Sequence, residues 1–171
     1  MLNRRHLRVK VVQALYAYYQ SESKEVKPFE KALLQSVDKV NEMYIWMLSL
    51  LNEVADYSER DAEERANKYL PSEADLNAST QLKENVFIRS LRENGQFRAA
   101  EKKYAVSWSF DPEIVRSLFA ALKSAPEYTE YLQATDRSIR AEKDIIKFIF
   151  KKVVMKSPAV VGTSSNPASF T

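Results

Sequence analysis

The chain has 171 residues, enough for one domain or a domain with a second lobe, and is 45% apolar and 29% charged. Two glycines and no cysteine exclude disulfide frameworks, thiol nucleophiles and sulfur-ligated metals, and argue for helices over glycine-rich parallel sheets or phosphate loops. Lys and Arg exceed Asp and Glu by 26 to 23, yet without Arg4, Arg5, Arg8 and Lys10 the chain holds 22 bases against 23 acids. The positive excess is therefore a property of one end, and a local positive patch implies a local anionic partner.

Residues 3–22 read as a first helix. Leu7, Val11, Ala14, Leu15 and Tyr18 share an apolar face, flanked by Val12 and Tyr19, with Arg5, His6, Val9, Lys10, Gln13, Tyr16 and Gln20 opposite. Arg4 and Arg8 fall at the edge of the apolar face, where long stems carry charge to water. Pro28 is placed to open a helix. From Phe29 to Leu70 there is neither Gly nor Pro, and Phe29, Leu33, Val37, Val40, Tyr44, Met47, Leu51 and Val54 keep helical spacing. Two helices are expected here, separated near Ser36–Asp38.

Pro71–Thr80 reads as a polar linker. Residues 82–94 predict a helix capped at its end by Gly95, and 97–110 is ambiguous. Asp111-Pro112-Glu113 is a helix start, with an N-cap acid, Pro at the first position and an acid suited to the dipole. Ile114, Val115, Leu118, Phe119 and Leu122 follow at helical spacing, and Pro126 opens a short helix to Leu132. A last helix over about 136–156 carries a wide apolar surface from Ile139 to Val154, as if it had neighbours on more than one side. Residues 157–171 contain no charge and read as a disordered tail. The longest apolar run, around Tyr44–Leu51, is far short of the roughly 20 residues a bilayer requires, so a cytoplasmic protein with no membrane partner is expected.

The chemistry-bearing patterns are few. Four bases within seven residues, without an acid, oppose the dipole of their own helix. That cost favours a binding role over incidental solvation. Arginine forks suit phosphates, and Gln13, Tyr16 and Gln20 add hydrogen bonding and stacking suited to unpaired bases, so single-stranded RNA is the expected ligand. The candidate RNA-binding residues are Arg4, Arg5, His6, Arg8, Lys10, Gln13 and Tyr16. His6 is the sole histidine, which leaves no zinc site and no catalytic dyad. Glu59, Asp61, Glu63 and Glu64 alternate with Arg60 and Arg65, as on a solvated face. Lys143, Lys147 and Lys151 form a solvent stripe on the last helix. No phosphate loop, nucleophile elbow or metal-ligand spacing is present, so no cofactor and no enzymatic activity are expected.

Arg4-Arg5-His6-x-Arg8, then Val12-Gln13-Ala14-Leu15-Tyr16 and Gln20, resembles the opening helix of the NusB family of bacterial transcription antitermination factors. Tyr44-x-x-x-Leu48, with Leu51 and Val54, looks like that family's third helix, and Tyr69-Leu70 like the end of the next. The resemblance covers about residues 3–70. It implies an all-α, NusB-like helical bundle without enzymatic activity. It also implies binding of the boxA element of ribosomal RNA leaders together with NusE, a small-subunit ribosomal protein, within an antitermination complex of RNA polymerase. By position, Arg4, Arg5 and Arg8 inherit the RNA contact, with Gln13 and Tyr16 beside them, and His6 stands where the family often has another arginine. The implied organisation is an N-terminal subdomain (3–70), a helical insertion (71–135), one helix (136–156) of a C-terminally shortened second subdomain, and the tail. A methyltransferase carrying a NusB-like domain requires a glycine-rich cofactor domain that two glycines do not supply. The remaining alternative is a helical protein-interaction adaptor with a nonspecific basic end.

Overall fold

A computed structural model describes residues 3–23, 25–76, 78–134 and 137–155, except for the side chain of Ala74. Among the described residues the chain is all-helical, with no strand. The helices are α1 (Arg4–Gln20), α2 (Lys27–Ala66), α3 (Glu73–Leu76), α4 (Val86–Glu93), α5 (Gly95–Lys103), α6 (Pro112–Lys123), α7 (Pro126–Gln133) and α8 (Ile139–Phe148). A π-helical stretch, Ile149–Val154, continues α8. The expected disordered tail, 157–171, lies outside the described residues. No helix among the described residues is long and apolar enough to cross a membrane.

The chain divides into two compact units, Met1–Met47 and Leu48–Thr171. The first holds α1 and the N-terminal part of α2. Tyr18 meets Phe29 edge to face, with ring centroids 5.5 Å apart at 82°. The apolar face read from the sequence is present but not buried. Ala14 and Tyr18 are half-covered, whereas Leu7, Val11 and Leu15 are exposed and no residue of α1 counts as buried. Among the described residues of this unit only the α2 segment is there to cover α1, and one helix covers one narrow stripe of another.

The second unit holds the core. Leu50, Leu51, Val54 and Ala55 of α2 are buried, as are Leu82 and Ile88, the α6 set Ile114, Val115, Leu118, Phe119 and Leu122, and Ile145, Ile149, Val153 and Val154. An aromatic chain runs through this core from Tyr57 to Phe119 (5.4 Å), Tyr128 (6.3 Å) and Tyr131 (6.5 Å). The wide apolar surface of the last helix finds its neighbours here: α8 packs on α4 and α7, and its π-helical continuation packs on α6. The neighbours on more than one side that this surface implies are therefore present. The partners are the short helices between 86 and 133.

Three local expectations also change. First, α2 is one 40-residue helix, not two. Ser36 sits mid-helix with its hydroxyl donating to the Leu33 carbonyl at 2.8 Å, so its polarity is satisfied without a break. Second, Gly95 is the first residue of α5 and not an α4 cap. Asn94 ends α4, and its side chain accepts the Phe97 N–H at 3.0 Å to start α5. Third, the acidic stretch of α2 is a seam rather than a solvated face. Asp56 pairs with Arg92 at 2.7 Å, Glu59 with Lys83, and Asp61 with Lys123 at 2.9 Å. Glu63 and Glu64 remain exposed, as do Lys143, Lys147 and Lys151.

Within the expected linker, Ser72 and Asp75 form reciprocal cap contacts around α3. The Asp75 carboxylate also takes Arg65 at 2.7 Å and Lys68 at 3.1 Å, tying the linker to the end of α2. At the centre of the unit, the buried Glu142 accepts the Val86 N–H at 3.1 Å and the Tyr131 hydroxyl at 3.2 Å. Asn85 donates to the Glu142 carbonyl at 3.1 Å while capping α4 through Phe87 N–H at 2.9 Å. This polar knot joins α4, α7 and α8 with its main donors and acceptors matched. The end of α5 is a Schellman turn: Val106 N–H donates to the Glu101 carbonyl at 3.0 Å and Ala105 N–H to that of Lys102 at 3.3 Å. Ala105 takes the left-handed position, φ 50°, that glycine usually fills.

Candidate nucleic-acid interface

The first helix begins with Asn3 at its N-cap, whose side chain accepts the His6 N–H at 2.9 Å. That contact uses the His6 backbone and leaves its imidazole outside the cap. No acid occupies the first turn, so the partial positive charge of the helix start adds to the side-chain charge.

From this start Arg4, Arg5, Arg8, Val9, Val12 and Gln13 line one shallow hollow of about 530 Å³. Their spacing of i, i+1, i+4, i+5, i+8 and i+9 is that of a broad stripe on one side of a helix. All six are exposed. Among the described residues none of the three arginines makes an ion pair, whereas Arg65 of α2, Arg92 of α4 and Lys123 of α6 are each paired with a carboxylate. The hollow thus combines three free guanidinium forks with a small apolar floor of two valines and one amide. Such a surface can hold phosphate oxygens by paired N–H donors while the valines lie against a sugar or base.

Of the seven candidate residues, the structure brings Arg4, Arg5, Arg8 and Gln13 together in this hollow. Tyr16 lies one turn further along the same side and is 65% exposed. Its hydroxyl accepts from the Gln20 amide at 2.8 Å, which steadies the ring as an exposed flat surface. His6 and Lys10 do not line the hollow. At about 100° per residue His6 falls just beyond the Gln13 edge of the lining stripe, and Lys10 stands further round the helix. Lys10 is half-covered and His6 exposed. Val9 and Val12 are the residues that sequence reading missed: Val9 was placed on the polar face and Val12 on the flank of the core. The i, i+4 spacing of Val9 to Arg5 and Gln13, and of Val12 to Arg8, was the available signal.

Leu7, Val11, Leu15 and Tyr19 are 40%, 42%, 51% and 78% exposed, an apolar strip beside the basic one. Among the described residues no group of three or more His, Asp or Glu side chains is placed to hold a metal ion. Searches against family models, curated proteins and solved structures find no match to this chain.

Proposed function

We propose that this chain is a non-enzymatic, cytoplasmic RNA-binding protein of the NusB type. In this reading it binds boxA RNA through the α1 hollow, docks NusE on the adjoining apolar strip, and joins an antitermination complex on RNA polymerase. The observation that carries the reading is the set of three unpaired arginines around Val9, Val12 and Gln13 on an acid-free helix start. Arg4, Arg5 and Arg8 contact phosphates, Gln13 contacts a base edge, and Tyr16 stacks on an unpaired base. His6 and Lys10, displaced from the hollow, add only long-range attraction.

The exposed apolar strip on α1 also favours the adaptor reading, in which α1 engages a protein and the arginines are incidental. Fluorescence anisotropy with labelled boxA RNA and a scrambled control, with and without NusE, across a salt series, separates the two. The RNA reading expects tighter boxA binding, strengthened by NusE, with a log–log salt slope near roughly −2 for three phosphate contacts on a single strand. Equal binding to both RNAs, erased by salt, refutes it and leaves the adaptor.

A further inference from the structure

In the Leu48–Thr171 unit a cavity of about 690 Å³ opens between the second half of α2, α5, the loop that follows α5 and the start of α6. That volume lies inside the range of roughly 300–1,000 Å³ typical of small-molecule sites. Its charge pattern sets it apart from the rest of the unit. Arg60, Arg98 and Lys102 converge on it together with Glu53 and Glu101, and among the described residues none of these five is in an ion pair. On the same helix Asp56, Glu59 and Asp61 are paired with Arg92 of α4, Lys83 of the turn before α4 and Lys123 of α6. The sequence therefore builds interhelical pairs where it closes the fold and withholds them where the cavity opens. Burial raises the Glu53 carboxyl above its usual range, with Arg60 opposing that shift, so the cavity wall is a poorly solvated place for charge.

The remaining wall is aromatic and hydroxyl-bearing. Trp108 lines the cavity and stacks on Phe110 outside it, with centroids 6.1 Å apart and planes 22° from parallel. The Schellman turn at Ala105 redirects the chain after α5, so that the loop carrying Trp108 returns alongside Arg98 and Lys102.

We propose that this cavity binds a nucleoside monophosphate, with the phosphate on Arg60, Arg98 and Lys102 and the base against Trp108. Glu53 and Glu101 accept from ribose hydroxyls or an exocyclic amine. Three cations against two carboxylates leave one net positive charge, which offsets most of the charge of about −1.5 to −2 on a single phosphomonoester at pH 7. A triphosphate would press its added charge onto the two acids. The proposal is independent of the α1 reading, since it draws on no residue of α1.

The chain has two tryptophans, Trp46 and Trp108, so in a Trp46→Phe background fluorescence reports on the cavity alone. Titrating this variant of the 171-residue chain with AMP, with adenosine and with inorganic phosphate tests the assignment, and calorimetry on the unaltered chain repeats it. Saturable quenching by AMP below about 1 mM is expected, roughly tenfold tighter than with either half of the molecule alone. Arg98→Ala, and separately Lys102→Ala, each weaken AMP binding about tenfold. Arg116→Ala, on the exposed face of α6, leaves it unchanged. Lack of saturation at several times that concentration in both assays overturns the proposal. Phosphate binding as tightly as AMP does so too, as does affinity indifferent to both cavity substitutions in variants that retain native circular dichroism.

Discussion

Removing the Glu142 carboxylate tests the polar knot at the centre of the second unit. Glu142 is 2% exposed and receives two donors, Val86 N–H at 3.1 Å and Tyr131 O–H at 3.2 Å, with Arg137 Nη1 3.7 Å from the same carboxylate. Glu142→Ala deletes both acceptors and leaves the Val86 amide without its partner at the start of α4. An unsatisfied buried donor costs about 1–3 kcal/mol, and hydrogen bonds to a charged acceptor contribute about 1.5–3 kcal/mol each. Desolvating the carboxylate has its own cost, which the substitution removes, so the net loss is less than the sum. About 3 kcal/mol is the expected destabilisation. Glu142→Gln keeps one acceptor oxygen for the amide, and the Tyr131 hydroxyl can turn to accept from the new NH2, so about 1 kcal/mol is expected. Urea titrations followed by far-ultraviolet circular dichroism measure both. The same titrations on Tyr131→Phe and the Glu142→Ala/Tyr131→Phe double variant give the coupling, expected near 1 kcal/mol. Equal midpoints for Glu142→Ala and the unaltered chain would refute the knot as a structural tie.

The other predictions are simpler to state. Ala105→Gly relieves a left-handed backbone strained for a β-carbon and stabilises the chain by about 1 kcal/mol in the same titration; a lowered midpoint would remove the strain argument. Asp75 is held well below the usual carboxylate range, first by Arg65 and then by Ser72 and Lys68, so its link is at full strength above about pH 4 and fades as the pH falls further. The protection factors of the α3 amides, corrected for the intrinsic exchange rate at each pH, should therefore fall on acidification before those of α6 do. Arg5→Ala should leave helix content unchanged, because the side chain is exposed and unpaired, while flattening the salt slope of RNA binding by roughly 0.7.

What could be read from the sequence was what is encoded within a turn or two of chain. Asp111-Pro112-Glu113 starts α6 as expected, because the N-cap contact to Ile114 N–H, 3.3 Å, involves residues three apart. The arginine stripe of α1 was legible for the same reason. Ser36 and Gly95 misled because residue type was taken as function. A serine bonded to its own helix does not break it, and a glycine after a helix need not cap it when Asn94 does so. That the last helix has neighbours on several sides was legible, but which segments they are was not, because they lie up to some sixty residues earlier in the chain, as with Asn85 and Glu142. The five charged residues around Trp108 could not be read at all, since α2, α5 and α6 meet only in the folded unit.

Asn94 and Gly95 form the dipeptide most prone to ageing in proteins, because an unhindered glycine amide attacks the asparagine side chain to give a cyclic imide. Nothing lies within 4 Å of where a β-carbon would stand on Gly95, so no neighbour blocks that approach. Here the asparagine side chain is engaged by Phe97 N–H, and the Gly95 amide belongs to the first turn of α5, which together hold the two groups out of reactive alignment. Opening of the imide to aspartate would keep a competent helix cap. Opening to isoaspartate would insert a methylene into the backbone between α4 and α5, shifting Arg98 and Lys102 together. The chemical clock of this chain is therefore set at the joint that positions the cations of its cavity.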